Sequence, residues 1–362
     1  MKRLILTCLF SMMIMQGSLN AVEMRGVWVR PPESADEINI IMDTLAYAGM
    51  NAVFVETYYH SYTIYPSVYA DQRPEFKGRD VLQEFIDAAR PHNIEIHAWV
   101  EVFYAGNPKH LDDEGPVLKD NPDWILPAID GTVEFEDGKM FINPALPSVR
   151  SYLLNVMREI VNRYDVHGLH LDYIRYPVDR DNRPPGYDEY SRLVFGRQHG
   201  IDPVTIDRDN DRDAWILWTG WRKRQVTTFV EEVQRMVLSD RPEVQLSAAV
   251  FSEQSTNPLG DEKCQDWDTW VAKGLVDFLT PMCYAVSTAR ILEMVRESIE
   301  RGKGKVPVYI GLALNHHADE QSFDELITRT MYEQPDGIVI FAWNWRQPFT
   351  FDYLHNMFEA KE

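Results

Sequence analysis

The stretch VHGLHLDYIRYP, Val166 to Pro177, sets His170, Asp172, Tyr173, Arg175 and Tyr176 into seven residues of an otherwise apolar run. Residues two apart on a strand share a face. Leu169 and Leu171 therefore point one way, and His170 and Asp172 the other. A carboxylate on the buried face costs free energy unless something pairs with it, so Asp172 asks for a chemical reason. Acids recur at the ends of other apolar runs, at Glu56, Glu101 and Glu253. Two carboxyl groups flanking one bond are what glycosidic cleavage uses: one acts as nucleophile or charge stabiliser, the other as a general acid of raised pKa. Asp172 takes the first role in this reading. Glu253 is the first choice for the acid, Glu101 the second and Glu56 the third.

Around these acids stand groups suited to a sugar. Trp99, Tyr284 and Trp343 offer flat faces on which the C–H groups of a sugar ring can stack. Arg30, Glu56, Tyr59, Tyr176 and Asn315 offer hydrogen bonds. His170 and Arg175 would orient Asp172 and keep it ionised. Each has a plainer reading. Arg30, Glu56 and Glu101 could be ion pairs across a rim, His97 a satisfied core histidine, and Trp99 and Trp343 core. Arg175 and Tyr176 could simply brace a loop. A metal centre from His97, Glu101, His170 and Asp172 would suit a deacetylase-like hydrolase, although no H-x-H pair follows the first strand. The run DRDNDRDAW, Asp207 to Trp215, lacks the Gly and Glu of a calcium loop. No metal or other cofactor is expected.

These residues need elements to position them. Eight runs rich in β-branched and aromatic residues read as strands: 25–31, 51–59, 94–104, 168–177, 244–253, 276–285, 306–314 and 337–345. Helical patterns separate them, over 37–48, 81–89, 147–164, 213–238, 266–273, 289–301 and 323–332, with 351–360 closing the chain. Strand–helix alternation implies parallel pairing, and eight units imply an α/β fold of the closed (β/α)8, or TIM barrel, type. In such a barrel catalytic groups sit at the C-terminal ends of strands. The connections after strands three and four are too long for one helix each and should lie over that mouth.

Bulk properties narrow the partners. The 362 residues are 45% hydrophobic and 25% charged, with a formal net charge of −20. That charge disfavours nucleic acid and anionic membranes. Lys2 and Arg3 precede a largely apolar run, Leu4 to Met15, with Gly17, Ser18 and Ala21 after it. This has the form of a signal peptide over 1–21, leaving 22–362 as a single catalytic domain, exported to the periplasm or secreted, with no membrane insertion after the signal is removed. Cys264 and Cys283 remain, either paired or as buried thiols.

The motifs MRGVWVR (24–30), FINPALPSVRSYLLNVMREIVNRYDVHGLHLDYIRYP (141–177), LSAAV (246–250) and DFLTPMCYA (277–285) together resemble the glycosyl hydrolase-like ten family. The resemblance implies an exported bacterial (β/α)8 barrel that hydrolyses O-glycosidic bonds, with cell-envelope glycans such as peptidoglycan among the substrates of relatives. Many members carry a second acid after the one matched by Asp172, where this chain has Tyr173. The alternatives are a metal-dependent hydrolase and a glycan-binding barrel without catalysis.

Overall fold

The computed structural model describes residues 22–111, 114–178, 183–253, 263–314 and 319–358. The expected signal peptide lies outside them, as does Asn315. Eight parallel strands close into a barrel: β1 (Met24–Val29), β2 (Ala52–Tyr59), β3 (Glu95–Glu101), β4 (Gly168–Asp172), β5 (Gln245–Phe251), β6 (Phe278–Met282), β7 (Tyr309–Ala313) and β8 (Gly337–Phe341). Each pairs with its sequence neighbour, and β1 pairs with both β2 and β8, which closes the ring. All eight expected strands are present. Most are shorter than their apolar runs, because the runs continue into the turns that leave each strand.

The crossovers are α1 (Ala35–Tyr47), α2 (Val81–Ala89), α3 (Pro147–Arg163), α4 (Arg212–Asp240), α5 (Trp267–Lys273), α6 (Thr288–Gly302) and α7 (Glu320–Tyr332), with α8 (Thr350–Phe358) after β8. Local chemistry explains their starts. Asp80, Asp266 and Asp319 each accept a hydrogen bond from a first-turn amide of α2, α5 and α7. Pro147 opens α3, where its missing N–H costs nothing.

Strand alternation sorts the apolar side chains into two cores. Val27, Val53, Val55, Ile96, Ala98, Leu169 and Leu171 face the helices. Met24, Trp28, Ala52, Phe54, Trp99, Phe278, Tyr309 and Val339 fill the barrel. Rings that large fit only because small residues face them. A Cβ on Gly168 would stand well inside contact distance of the His97 ring, and one on Gly311 would meet Trp28 at 3.0 Å. Cys264 and Cys283 are both buried, as thiols rather than as a disulfide.

Both long connections carry structure. The one after β3 holds a three-stranded antiparallel sheet of Tyr104–Gly106, Lys139–Phe141 and Glu134–Phe135. The one after β4 holds a helix, Glu189–His199, capped by Asp188 and ended by Gly200 in the left-handed region. Sequence periodicity did not reveal that helix, because only Ser191 and Phe195 of it are buried. Its Phe195 packs with Tyr187, Trp215, Trp218 and Trp221 in a core of its own.

Candidate active site

At the C-terminal mouth of the barrel lies a cavity of about 430 Å³. Alternation carries Trp28 and Arg30 from β1, Trp99 and Glu101 from β3, Asp172 from β4, Ala249 and Phe251 from β5, Met282 and Tyr284 from β6, and Phe341 from β8 into its wall. Glu101 and Asp172 occupy opposed positions on neighbouring strands. The spacing of parallel strands puts their Cα atoms about 4.8 Å apart.

The two carboxyls have different support. Trp99 Nε1 donates to Asp172 Oδ2 at 3.1 Å, and the Tyr173 amide donates to Oδ1 at 2.6 Å. Burial raises the Asp172 pKa, while those two donors and the charges of Arg175 and Arg30 pull it back. Glu101 is 3% exposed, and its Oε2 is buried with no hydrogen-bond partner. Burial, then the charges of Glu56 and Asp172, hold its carboxyl well above the usual range. One carboxyl is therefore built to carry charge and the other to carry a proton. Glu56 lies behind them, buried, with Arg30 Nε donating to its Oε1 at 3.2 Å. Burial lifts it to about 7 even so.

Glu253 lies on the cavity rim, its side chain 49% exposed and ion-paired with Arg290. Half in water beside a guanidinium, it lacks the sealed apolar surroundings expected of the general acid. Arg175 lines the cavity but does not hydrogen-bond Asp172. Both its terminal nitrogens reach Glu136, at 2.6 and 3.0 Å, and it stands against the rings of Tyr173, Phe251 and Phe141. It acts on Asp172 through charge alone. His170 does not reach Asp172 either. It lies below the cavity, where its Nε2 accepts from Trp28 Nε1 at 3.3 Å and its Nδ1 faces Ser247 Oγ at 2.8 Å. The ring is a neutral core histidine with Nδ1 protonated, its pKa driven well down by burial. His97 pairs with Glu95 and stacks on Phe54. With both histidines engaged this way, the alternative metal-ligand set of His97, Glu101, His170 and Asp172 does not assemble. Among the described residues no cluster of three or more metal-ligating side chains occurs.

Tyr59 lies beside the acids rather than in the cavity wall. The register shift after Glu56 turns it there, its ring under Arg73 at 4.3 Å, where the charges of Glu56 and Glu101 raise its phenol pKa after burial. Tyr176 and Trp343 do not reach the cavity. Tyr173 has φ +47°, which ends the extended run, and Tyr176 is fully buried against Arg222. Beyond Phe341 the chain coils into the 3-10 turn Trp343–Trp345, and Trp343 is buried on Phe351. Phe341 takes the place expected of Trp343, stacked 5.7 Å from Tyr284. Reading the inward face of strand eight, but stopping it four residues earlier, would have found it. Tyr173, Lys263 and Glu136 also line the cavity. Lys263 and Glu136 come from connections, where no periodicity marks them.

A family profile described as glycosyl hydrolase-like 10 matches residues 23–325. The chain belongs to that family. Among curated relatives, glycosyl hydrolase DigH of Escherichia coli is 23% identical over 268 residues, covering 67% of this chain and 56% of that protein. Glycosyl hydrolase YngK of Bacillus subtilis is 22% identical over 317 residues, covering 77% and 57%. The chain thus spans little more than half the length of these relatives. The catalytic domain of a β-amylase from Paenibacillus polymyxa is similar in structure, with a TM-score of 0.66 over 94% of this chain and 99% of that one at 12% identity. A β-galactosidase from Marinomonas ef1 gives 0.69 over 91% and 58% at 10% identity. At such identities the likeness shows the fold. In this glycosyl hydrolase-like 10 member, the long block 141–177 runs from the loop sheet through α3 and β4 to the cavity. Tyr173, which stands where the resemblance implied a second acid, is an aromatic wall beside Tyr104 at 4.8 Å.

Proposed function

We propose that this protein hydrolyses O-glycosidic bonds of a polysaccharide or cell-envelope glycan such as peptidoglycan. Glu101 protonates the departing oxygen, and Asp172 attacks or stabilises the anomeric centre. The observation that carries this is the unequal support of the two carboxyls: Asp172 accepts two N–H donors, whereas Glu101 has a buried oxygen with no partner. Trp28, Trp99, Tyr284 and Phe341 supply ring-stacking walls. The test is incubation with a glycan panel, including peptidoglycan with and without stem peptides, and mass spectrometry of the products. Asp172→Asn should lose roughly 10³-fold or more in kcat/KM. Glu101→Gln should lose on the order of 10²–10⁴-fold, and less on aryl glycosides whose leaving group needs no proton. Glu253→Gln should stay within a few-fold of wild type. Full turnover by both Asp172→Asn and Glu101→Gln would sink the assignment.

The positively charged start and the apolar run after it support export to the periplasm or medium. Amino-terminal sequencing of the protein from its native host should find a start near residue 22, and an intact Met1 would refute export by this signal.

A further inference from the structure

The mouth of the barrel gathers three carboxyls, Glu56, Glu101 and Asp172, around one guanidinium, that of Arg30. Arg30 is within electrostatic reach of all three but makes its side-chain hydrogen bond to Glu56. Glu56 does not line the cavity, so no substrate group reaches it from there. The Glu56 carboxyl is buried while the Arg30 side chain is 42% exposed; burying a carboxylate is costly and a pair of this kind stabilises a fold weakly, which leaves its presence behind an active-site wall unexplained by stability.

We propose that Glu56 is a positioning residue for the general acid: by occupying Arg30 and adding its own negative charge beside Glu101, it keeps the Glu101 carboxyl protonated. This deepens the reading of Glu101 as the acid and rests on it. Two effects act in the same direction. An ionised Glu56 repels a charge on Glu101. It also denies Glu101 the guanidinium of Arg30, which could otherwise turn it into an ion-paired carboxylate unable to donate a proton. The remaining groups facing Glu101 are Asp172 and Lys139, with the phenols of Tyr59, Tyr104 and Tyr173. Glu56 is also faced by Arg73 and Asp172. Its ionisation near neutral pH places the effect on the alkaline side of the activity profile, where Glu101 would otherwise surrender its proton.

The experiment is the pH dependence of kcat/KM for wild type, Glu56→Gln and Glu56→Asp on whichever panel glycan the wild type cleaves. Glu56→Gln should move the alkaline limb down by about one pH unit, the scale of one close charge. Glu56→Asp, which keeps the charge, should restore it. A Glu56→Gln profile lowered evenly at all pH values, with its limb unmoved, means a merely structural bracket between β1 and β2 and overturns the proposal. A second measurement needs no turnover. In protein labelled with 13C at glutamate carboxyls, NMR titration should show Glu101 ionising after Glu56 in wild type, and at lower pH in Glu56→Gln than in wild type. Glu101 ionising before Glu56 in wild type, or an unchanged Glu101 titration in Glu56→Gln, overturns the coupling. The expected order and shift in a protein that cleaves no glycan support the coupling and overturn only the hydrolase reading.

Discussion

The indole of Trp99 places one N–H against Asp172 Oδ2, and most of the site's chemistry follows from such single contacts. A hydrogen bond to a charged group contributes about 1.5–3 kcal/mol. Trp99→Phe keeps the stacking face and removes the donor, so kcat/KM should fall roughly 10- to 100-fold. The sign of the pH effect is fixed by the same bond. The donor favours ionised Asp172, so its loss raises the Asp172 pKa, and the acidic limb of kcat/KM should move to higher pH. Kinetics across the acidic range check both, and an unmoved limb would separate Trp99 from Asp172. The same logic explains why Asp172 was legible from sequence but its partners were not. Strand parity names the residues that face inward. It does not say that His170 would turn to Trp28 and Ser247, or that Arg175 would be taken by Glu136, because both contacts cross between distant parts of the chain.

At the scale of elements, the barrel depends on small residues opposite large rings. Gly168 begins β4 directly against the imidazole of His97, so a methyl there forces the ring or the strand aside. Gly168→Ala should destabilise the protein by about 2 kcal/mol through overpacking, read as a lower urea midpoint with unchanged slope. Retained stability would mean that His97 yields without cost. Strand ends matter as much as strand centres. The apolar run past β8 continues to Trp345, but the 3-10 turn at Trp343–Trp345 ends the strand at Phe341. Periodicity without a stop signal overran both there and past Tyr173. The connection after β3 contributed Glu136 by folding into a small sheet, which alternating hydrophobicity over two- and three-residue strands is too short to announce.

For the molecule as a whole, the site is held at a cost in stability that depends on pH. The folded-state pKa of Glu101 is raised above its unfolded value, so its folded form binds more protons at intermediate pH. The stability this group contributes is full below the ordinary glutamate pKa and is lost as pH rises through the folded value. Glu101→Gln removes that loss. The variant should unfold at higher urea than wild type at pH 8 and at equal urea at pH 4. A variant less stable than wild type at pH 8 would contradict the burial of an unpartnered acid. His97 and His170 are shifted down by burial and act oppositely: their contribution is lost as pH falls below the ordinary histidine range. Both proteins carry them, so they cancel in the comparison.

The sequence by itself determined the eight strand–helix units, the closed barrel and the inward face of each strand, because those follow from local periodicity and from the crossovers parallel strands require. It also placed acids and aromatics at one rim. Which acid holds the proton was decided only by tertiary structure. Protonation depends on burial and on neighbouring charges, and those come from β1, β2, β3, β4 and a loop sheet that meet only once the ring has closed. Glu253 and Glu101 look alike as letters at strand ends. One stands half in water beside Arg290, and the other is sealed against two like charges.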